Sequence, residues 1–161
     1  MRRRMYMSKL FALTAKYSIN TTICSDFFEK LPEVIRKHTG WDYSYQQRDA
    51  GCALKPTFRN MPYRNSFAPE IVIIVSFDKA HTVLQMSGQP VKFVRVFMTL
   101  WYSFLLTMEV FFVLYAITSE LDNIFPVFIP VVLCAFGYLL CKVATKTTFN
   151  SVVKAIQKEL T

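Results

Sequence analysis

Glu109 has the most unusual chemistry open to it in this chain, because it sits near the middle of a long apolar run from Val96 to Thr118. A carboxyl group in hydrocarbon is costly to bury, so it is normally protonated or paired. In a second apolar run, from Ile124 to Cys141, Cys134 and Gly137 fall at similar depth if the runs fold back on each other. Gly137 permits close helix approach, and the hydroxyl of Tyr138 is the expected hydrogen-bond partner of Glu109. A protonated Glu109 pair across a homodimer is the alternative. A proton or ion pathway would need more polar groups along the same face, where only Ser103 and Thr107 are available.

Other catalytic constellations are poorly represented. His38 and His81 are the two histidines, one near an expected helix end and one opening an expected strand. Neither forms a His-Glu-x-x-His pair, and there is no Cys-x-x-Cys. Cys24 and Cys52 fall outside the apolar runs and Cys134 and Cys141 in or at the end of the second, a dispersal that argues against a disulfide framework. With four glycines there is no Gly-rich phosphate loop. We therefore expect no enzyme activity, no catalytic or metal site and no cofactor. The net charge of +8 accompanies no nucleic-acid motif and is better explained by an anionic membrane face. The sequon Asn20-Thr21-Thr22 is read as accidental.

The two apolar runs must position Glu109. Each approaches the roughly 20 residues a helix needs to cross about 30 Å of hydrocarbon. Ser119-Glu120-Leu121-Asp122-Asn123 between them is short enough to impose an antiparallel hairpin. All 19 Lys and Arg residues lie outside the runs and the connector. Lys92 and Arg95 flank the entry, and Lys142 and Lys146 the exit. By the positive-inside rule both termini face the cytoplasm and the connector, 119–123, does not. In bacteria this means a multi-pass protein of the inner membrane. Trp101 and Tyr102 stand near where an aromatic belt would begin, with ordinary apolar filling as the equal alternative. Met1-Arg-Arg-Arg lacks an apolar core and cleavage site behind it, so it is not read as a signal peptide; its arginines suit anionic head groups, and Met5 or Met7 is an alternative start.

Residues 1–95 contain enough apolar residues for a small cytoplasmic domain. Phe11, Leu13, Ala15, Tyr17 and Ile19 alternate as in a half-buried strand. Asp26 and Glu29 resemble a capping box opening a helix toward His38, stopped at Thr39-Gly40 and kinked or split at Pro32. Trp41, Tyr43 and Tyr45 alternate again. Cys52 to Phe58 reads as a strand restricted to an edge or bulge by Pro56. Ile71 to Phe77 is the strongest strand signal. Asp78-Lys79-Ala80 turns it back into His81 to Met86, and Gly88-Gln89-Pro90 is expected to end the sheet. Beyond the second span, 124–141, residues 142–161 return to the cytoplasm. Within them Thr147 to Leu160 reads as an amphipathic helix with Phe149, Val152, Val153, Ile156 and Leu160 on one face. That face is expected to cover the sheet rather than lie on the membrane.

Between these elements, Tyr63-Arg64-Asn65-Ser66-Phe67-Ala68-Pro69 resembles the Tyr-Arg-Asn-Ser-Phe-x-Pro motif of a family of small uncharacterised bacterial two-span membrane proteins. The resemblance implies the same order of parts: motif, β-hairpin, two closely spaced spans and a short C-terminal helix. It implies no activity. Family members commonly carry a glycine shortly after the proline, where this chain has Glu70-Ile-Val-Ile-Ile-Val75. Asn65-Ser66 suits a turn bonded to nearby backbone, anchored by Tyr63 and Phe67, while the planar fork of Arg64 could contact a carboxylate or lipid phosphate.

The expected fold is thus an α+β membrane protein: a small antiparallel sheet domain with one N-terminal helix, a two-helix transmembrane hairpin, 96–118 and 124–141, and a C-terminal amphipathic helix. Its expected partners are the lipid bilayer and a second copy or another membrane protein, not nucleic acid. The expected role is a membrane-anchored binding or assembly module, the alternative a small oligomeric permeability protein using Glu109.

Overall fold

The computed structural model describes residues 12–19, 25–48, 51–57, 67–78, 81–118 and 125–160. Five strands and three helices are found among them: β1 (Leu13–Ile19), α1 (Ser25–Thr39), β2 (Tyr43–Arg48), β3 (Gly51–Pro56), β4 (Pro69–Asp78), β5 (His81–Pro90), α2 (Lys92–Thr118) and α3 (Phe125–Leu160). The chain divides into two compact units. One is built from the residues up to Val91 and those from Ala144 onward, the other from Lys92–Val143.

The first unit is a five-stranded antiparallel sheet in the order β1-β5-β4-β3-β2. β2 to β5 follow one another as a meander. β1 closes the sheet on the free edge of β5, so α1 carries the chain from one sheet edge to the other. On α1, Phe28, Leu31 and Ile35 are buried at the spacing of one helix face. Their partners include Cys52, Leu54, Ile71, Ile73, Leu84 and Met86 from alternate strand positions, and Phe149, Val152, Val153 and Ile156 from α3. The C-terminal amphipathic face therefore joins the sheet core, as expected. It gives the sheet its second layer together with α1.

Four local expectations are corrected. Pro32 neither splits nor ends α1, which runs unbroken for 15 residues. The proline removes one backbone hydrogen bond, but Leu31 and Ile35 on either side of it are fully buried and hold the turn by packing. β3 is an interior strand, not an edge. Its pairing with β4 ends at Leu54↔Ile71, and Pro56 lies past that point, opposite Tyr43 of β2. Gly88-Gln89-Pro90 does not break the sheet, because β5 continues to Pro90. Gly88 is there for closeness: a Cβ would stand 2.4 Å from Cδ2 of Phe149, so the bare backbone seats the ring on the sheet. Finally, the second apolar run and the C-terminal stretch are not two helices but one of 36 residues. No glycine or proline lies between Tyr138 and Leu160, and a drop in hydropathy alone does not end a helix.

Candidate functional site

In the unit 92–143, large apolar side chains point outward. Phe93, Leu100, Leu106, Phe111 and Ile117 of α2, with Val132 and Phe136 of α3, are all more than half exposed. In the most apolar stretches of the two helices only 6% and 11% is buried, and both helices are long and apolar enough to span a membrane. A core helix of a soluble protein hides its apolar residues; these display them.

The inward side of α2 follows a seven-residue repeat. Met98 and Leu105 are buried, and Gly137 of α3 presents its bare backbone toward Trp101 and Met98: a Cβ there would lie 3.5 Å from Nε1 of Trp101 and 3.9 Å from Cε of Met98. Beside this seam run Arg95, Tyr102 and Glu109, each seven residues from the next and thus on one stripe of the helix. Nε of Arg95, the hydroxyl of Tyr102 and Oε2 of Glu109 are buried with no hydrogen-bond partner.

Glu109 and Tyr138 are placed by different parts of the hairpin. Tyr138 adjoins Gly137, which is level with Trp101, and Glu109 is eight residues farther along α2, about 12 Å at 1.5 Å per residue. The Tyr138 hydroxyl accepts from Nζ of Lys142 at 3.1 Å, one turn along its own helix. Thr107, the polar neighbour noted with Ser103, donates back to the Ser103 carbonyl at 2.9 Å.

Tyr63, Arg64, Asn65 and Ser66 lie outside the described residues. The end of the motif is described and is well anchored in the first unit. Ala68 is buried, and the Phe67 carbonyl accepts from Oγ1 of Thr145 at 3.3 Å. Thr145 is itself buried, so this bond ties the motif to the start of the α3 segment that covers the sheet.

Two groups in the core have perturbed chemistry. Burial pushes the Cys52 thiol up to about 12, which keeps it protonated and unreactive. Burial also raises Tyr43, far above the usual tyrosine range; its hydroxyl has no hydrogen-bond partner. Both belong to packing. Among the described residues no group of three or more His, Cys, Asp and Glu could hold a metal ion.

The first unit also contains a cleft that the sequence did not announce. It measures about 460 Å³ and lies between the end of α1 and the last turns of α3, lined by His38, Thr39, Trp41, Ser151, Lys154, Ala155 and Lys158. Local capping builds its first wall. Gly40 takes a φ of 73° and donates to the Arg36 carbonyl at 2.9 Å, turning the chain sharply out of the helix. Oγ1 of Thr39 donates to the Ile35 carbonyl at 2.7 Å and accepts from the Trp41 amide at 3.2 Å, which fixes the backbone of Trp41. An ion pair from Nε of Arg36 to Oδ1 of Asp42, 3.4 Å, follows immediately. The second wall is one face of α3, on which Ser151, Lys154 and Lys158 recur at helical spacing. That basic spacing was the signal available in the sequence; what stands opposite it was not.

No protein-family model, curated protein or solved structure matches the chain.

Proposed function

We propose that this chain is a membrane-anchored, non-enzymatic binding or assembly module of the inner membrane. In this reading α2 and residues 125–143 of α3 form a transmembrane hairpin, with the sheet unit and both termini in the cytoplasm. The observation that carries it is the outward display of apolar side chains along both long helices, joined to a second unit with its own core. Apolar surface of that extent is untenable in water and ordinary in lipid. The Tyr63–Pro69 motif supports placing the chain with the small two-span membrane proteins that carry the same pattern. Extraction of native membranes with alkaline carbonate tests the anchor. The protein should stay in the pellet, and release into the supernatant would sink the reading.

Buried Oε2 of Glu109, without a hydrogen-bond partner, favours a second reading, in which the hairpin assembles into a small permeability-forming oligomer. An unpaired carboxyl at that depth costs several kcal/mol unless another subunit or a permeant species satisfies it. Glu109→Gln separates the two. If membrane permeability collapses while assembly persists, the permeability reading stands and the pure anchor fails; unchanged permeability favours the anchor.

A further inference from the structure

We propose that the cleft between α1 and the end of α3 binds a phosphate-bearing group, with Lys154 and Lys158 as its cationic ligands and Trp41 as a flat wall for whatever the phosphate is attached to. This deepens the binding-module reading and rests on it for its biological setting, though not for its chemistry.

The charge pattern is one-sided. Of the residues lining the cleft, those that can carry charge are His38, Lys154 and Lys158, and none is a carboxylate. The described ion pairs of this unit are Arg36 with Asp42, His38 with Glu159 and Arg48 with Glu70. None of these described pairs takes up Lys154 or Lys158. Glu159 is held toward His38, its Oε2 3.8 Å from Nε2, and does not line the cleft. Two ammonium groups four residues apart on one helix face repel mildly in the empty cleft. A doubly charged phosphate placed between them reverses the sign of that interaction.

A simpler role for these lysines is to complement the dipole at the end of α3. That effect is confined to the last helical turn and can account for Lys158. Lys154 lies six residues before the helix ends at Leu160, beyond that reach. Nor does dipole complementation require a cavity. Ala155 is buried at the cleft, where its small side chain leaves space that a larger residue would fill.

Size and lining narrow the ligand class. About 460 Å³ is within the range of sites for small organic ligands and too large for bare phosphate alone. Ser151 is occupied as a donor by the Thr147 carbonyl at 3.0 Å, but its oxygen can still accept from the ligand. Trp41 supplies an apolar face and an indole N–H. A phosphomonoester carried on a small organic body fits these features. It has two possible sources, a soluble phosphorylated metabolite or the head group of an anionic lipid.

The full chain carrying Trp101→Phe, reconstituted in neutral phosphatidylcholine nanodiscs, makes Trp41 the sole indole. Binding is read by titration calorimetry and by Trp41 emission. Glycerol 3-phosphate serves as the soluble probe, and nanodiscs containing phosphatidic acid as the lipid probe. Saturable binding of either probe, with a Trp41 response, is expected. Lys154→Gln with Lys158→Gln should weaken it on the order of tenfold or more, whereas Lys154→Arg and the off-cleft Lys146→Gln should not. Response to the soluble probe alone assigns a metabolite, and response to the lipid probe alone assigns a head group. No saturable binding of either, or binding indifferent to the double lysine variant, overturns the proposal. Carbonate extraction of the same variants reports on the anchor separately, so a membrane-integral protein that ignores both probes refutes the cleft and leaves the anchor standing.

Discussion

If residues 144–160 of α3 form the second layer of the sheet unit, the contact between Gly88 and Phe149 should behave as a tight steric couple. A Cβ at position 88 would lie 2.4 Å from Cδ2, 2.9 Å from Cε2 and 3.2 Å from Cγ of Phe149. The closest of these is about 1 Å short of ordinary carbon contact. The ring cannot swing away freely, because Phe149 is only 3% exposed and belongs to the same core as Leu84 and Met86. Gly88→Ala should therefore cost about 1–3 kcal/mol, the usual range for overpacking a filled core. The buried thiol of Cys52, fully inaccessible in the folded unit, reports this cost directly. With Cys24, Cys134 and Cys141 changed to Ala, thiol trapping measures how often the core opens, and Gly88→Ala should speed it by about 5- to 150-fold. In a Phe149→Leu background the obstructing ring is gone, and the same change should cost less than about 0.5 kcal/mol. Equal acceleration in both backgrounds would refute the packing of this segment on β5.

Two further outcomes follow from the same unit. Gly51 has a φ of 151°, and a Cβ there would meet the Ile73 carbonyl oxygen, which is backbone and cannot rotate away. Gly51→Ala should accordingly destabilise more than Gly88→Ala, by about 3 kcal/mol or more, measured by the same thiol trapping; a loss below about 1 kcal/mol would contradict the β3–β4 register. Stability should also fall at alkaline pH. Cys52 ionises near 8.5 when unfolded but only at about 12 when folded, so its contribution is complete below the unfolded value and is lost as pH rises toward the folded one. The loss should be about 1–2 kcal/mol by pH 10, with Tyr43 adding to it above its own ordinary value. Denaturant unfolding of Cys52→Ala should show a flatter profile between about pH 8.5 and 10, and an unchanged slope would show that another group is responsible.

Elements governed by local pattern were readable in advance. Ile71 to Phe77 is β-branched almost throughout and lies within β4, and the apolar spacing of Phe149, Val152, Val153 and Ile156 marked a face that does enter the core. Misreadings arose where tertiary contact overrides a local rule. Gly88 and Pro90 carry breaker chemistry, yet the ring of Phe149 needs a strand without a side chain at 88. Pro32 should interrupt a helix, yet buried Leu31 and Ile35 hold it. The Tyr138 hydroxyl bonds to Lys142 along its own helix, which depth counted along the sequence does not reveal. The seam at Gly137, Met98 and Trp101 sets the register, and side-chain size across a helix pair is not written in the hydropathy of either helix. The cleft was invisible for a related reason: residues 38–41 and 151–158 lie far apart in sequence and line one cavity only in the folded unit.

Whether the hairpin crosses a membrane with the sheet unit on the cytoplasmic side is tested most directly by Leu121→Cys in the full chain, with the four native cysteines replaced by alanine. In sealed, inside-out inner-membrane vesicles the cytoplasmic face is turned toward the medium. An impermeant maleimide should therefore leave the thiol introduced at position 121 unlabelled until detergent is added. In a parallel variant, Lys158→Cys at an exposed position of α3 should react at once. Labelling at position 121 in intact inside-out vesicles would contradict the proposed membrane crossing.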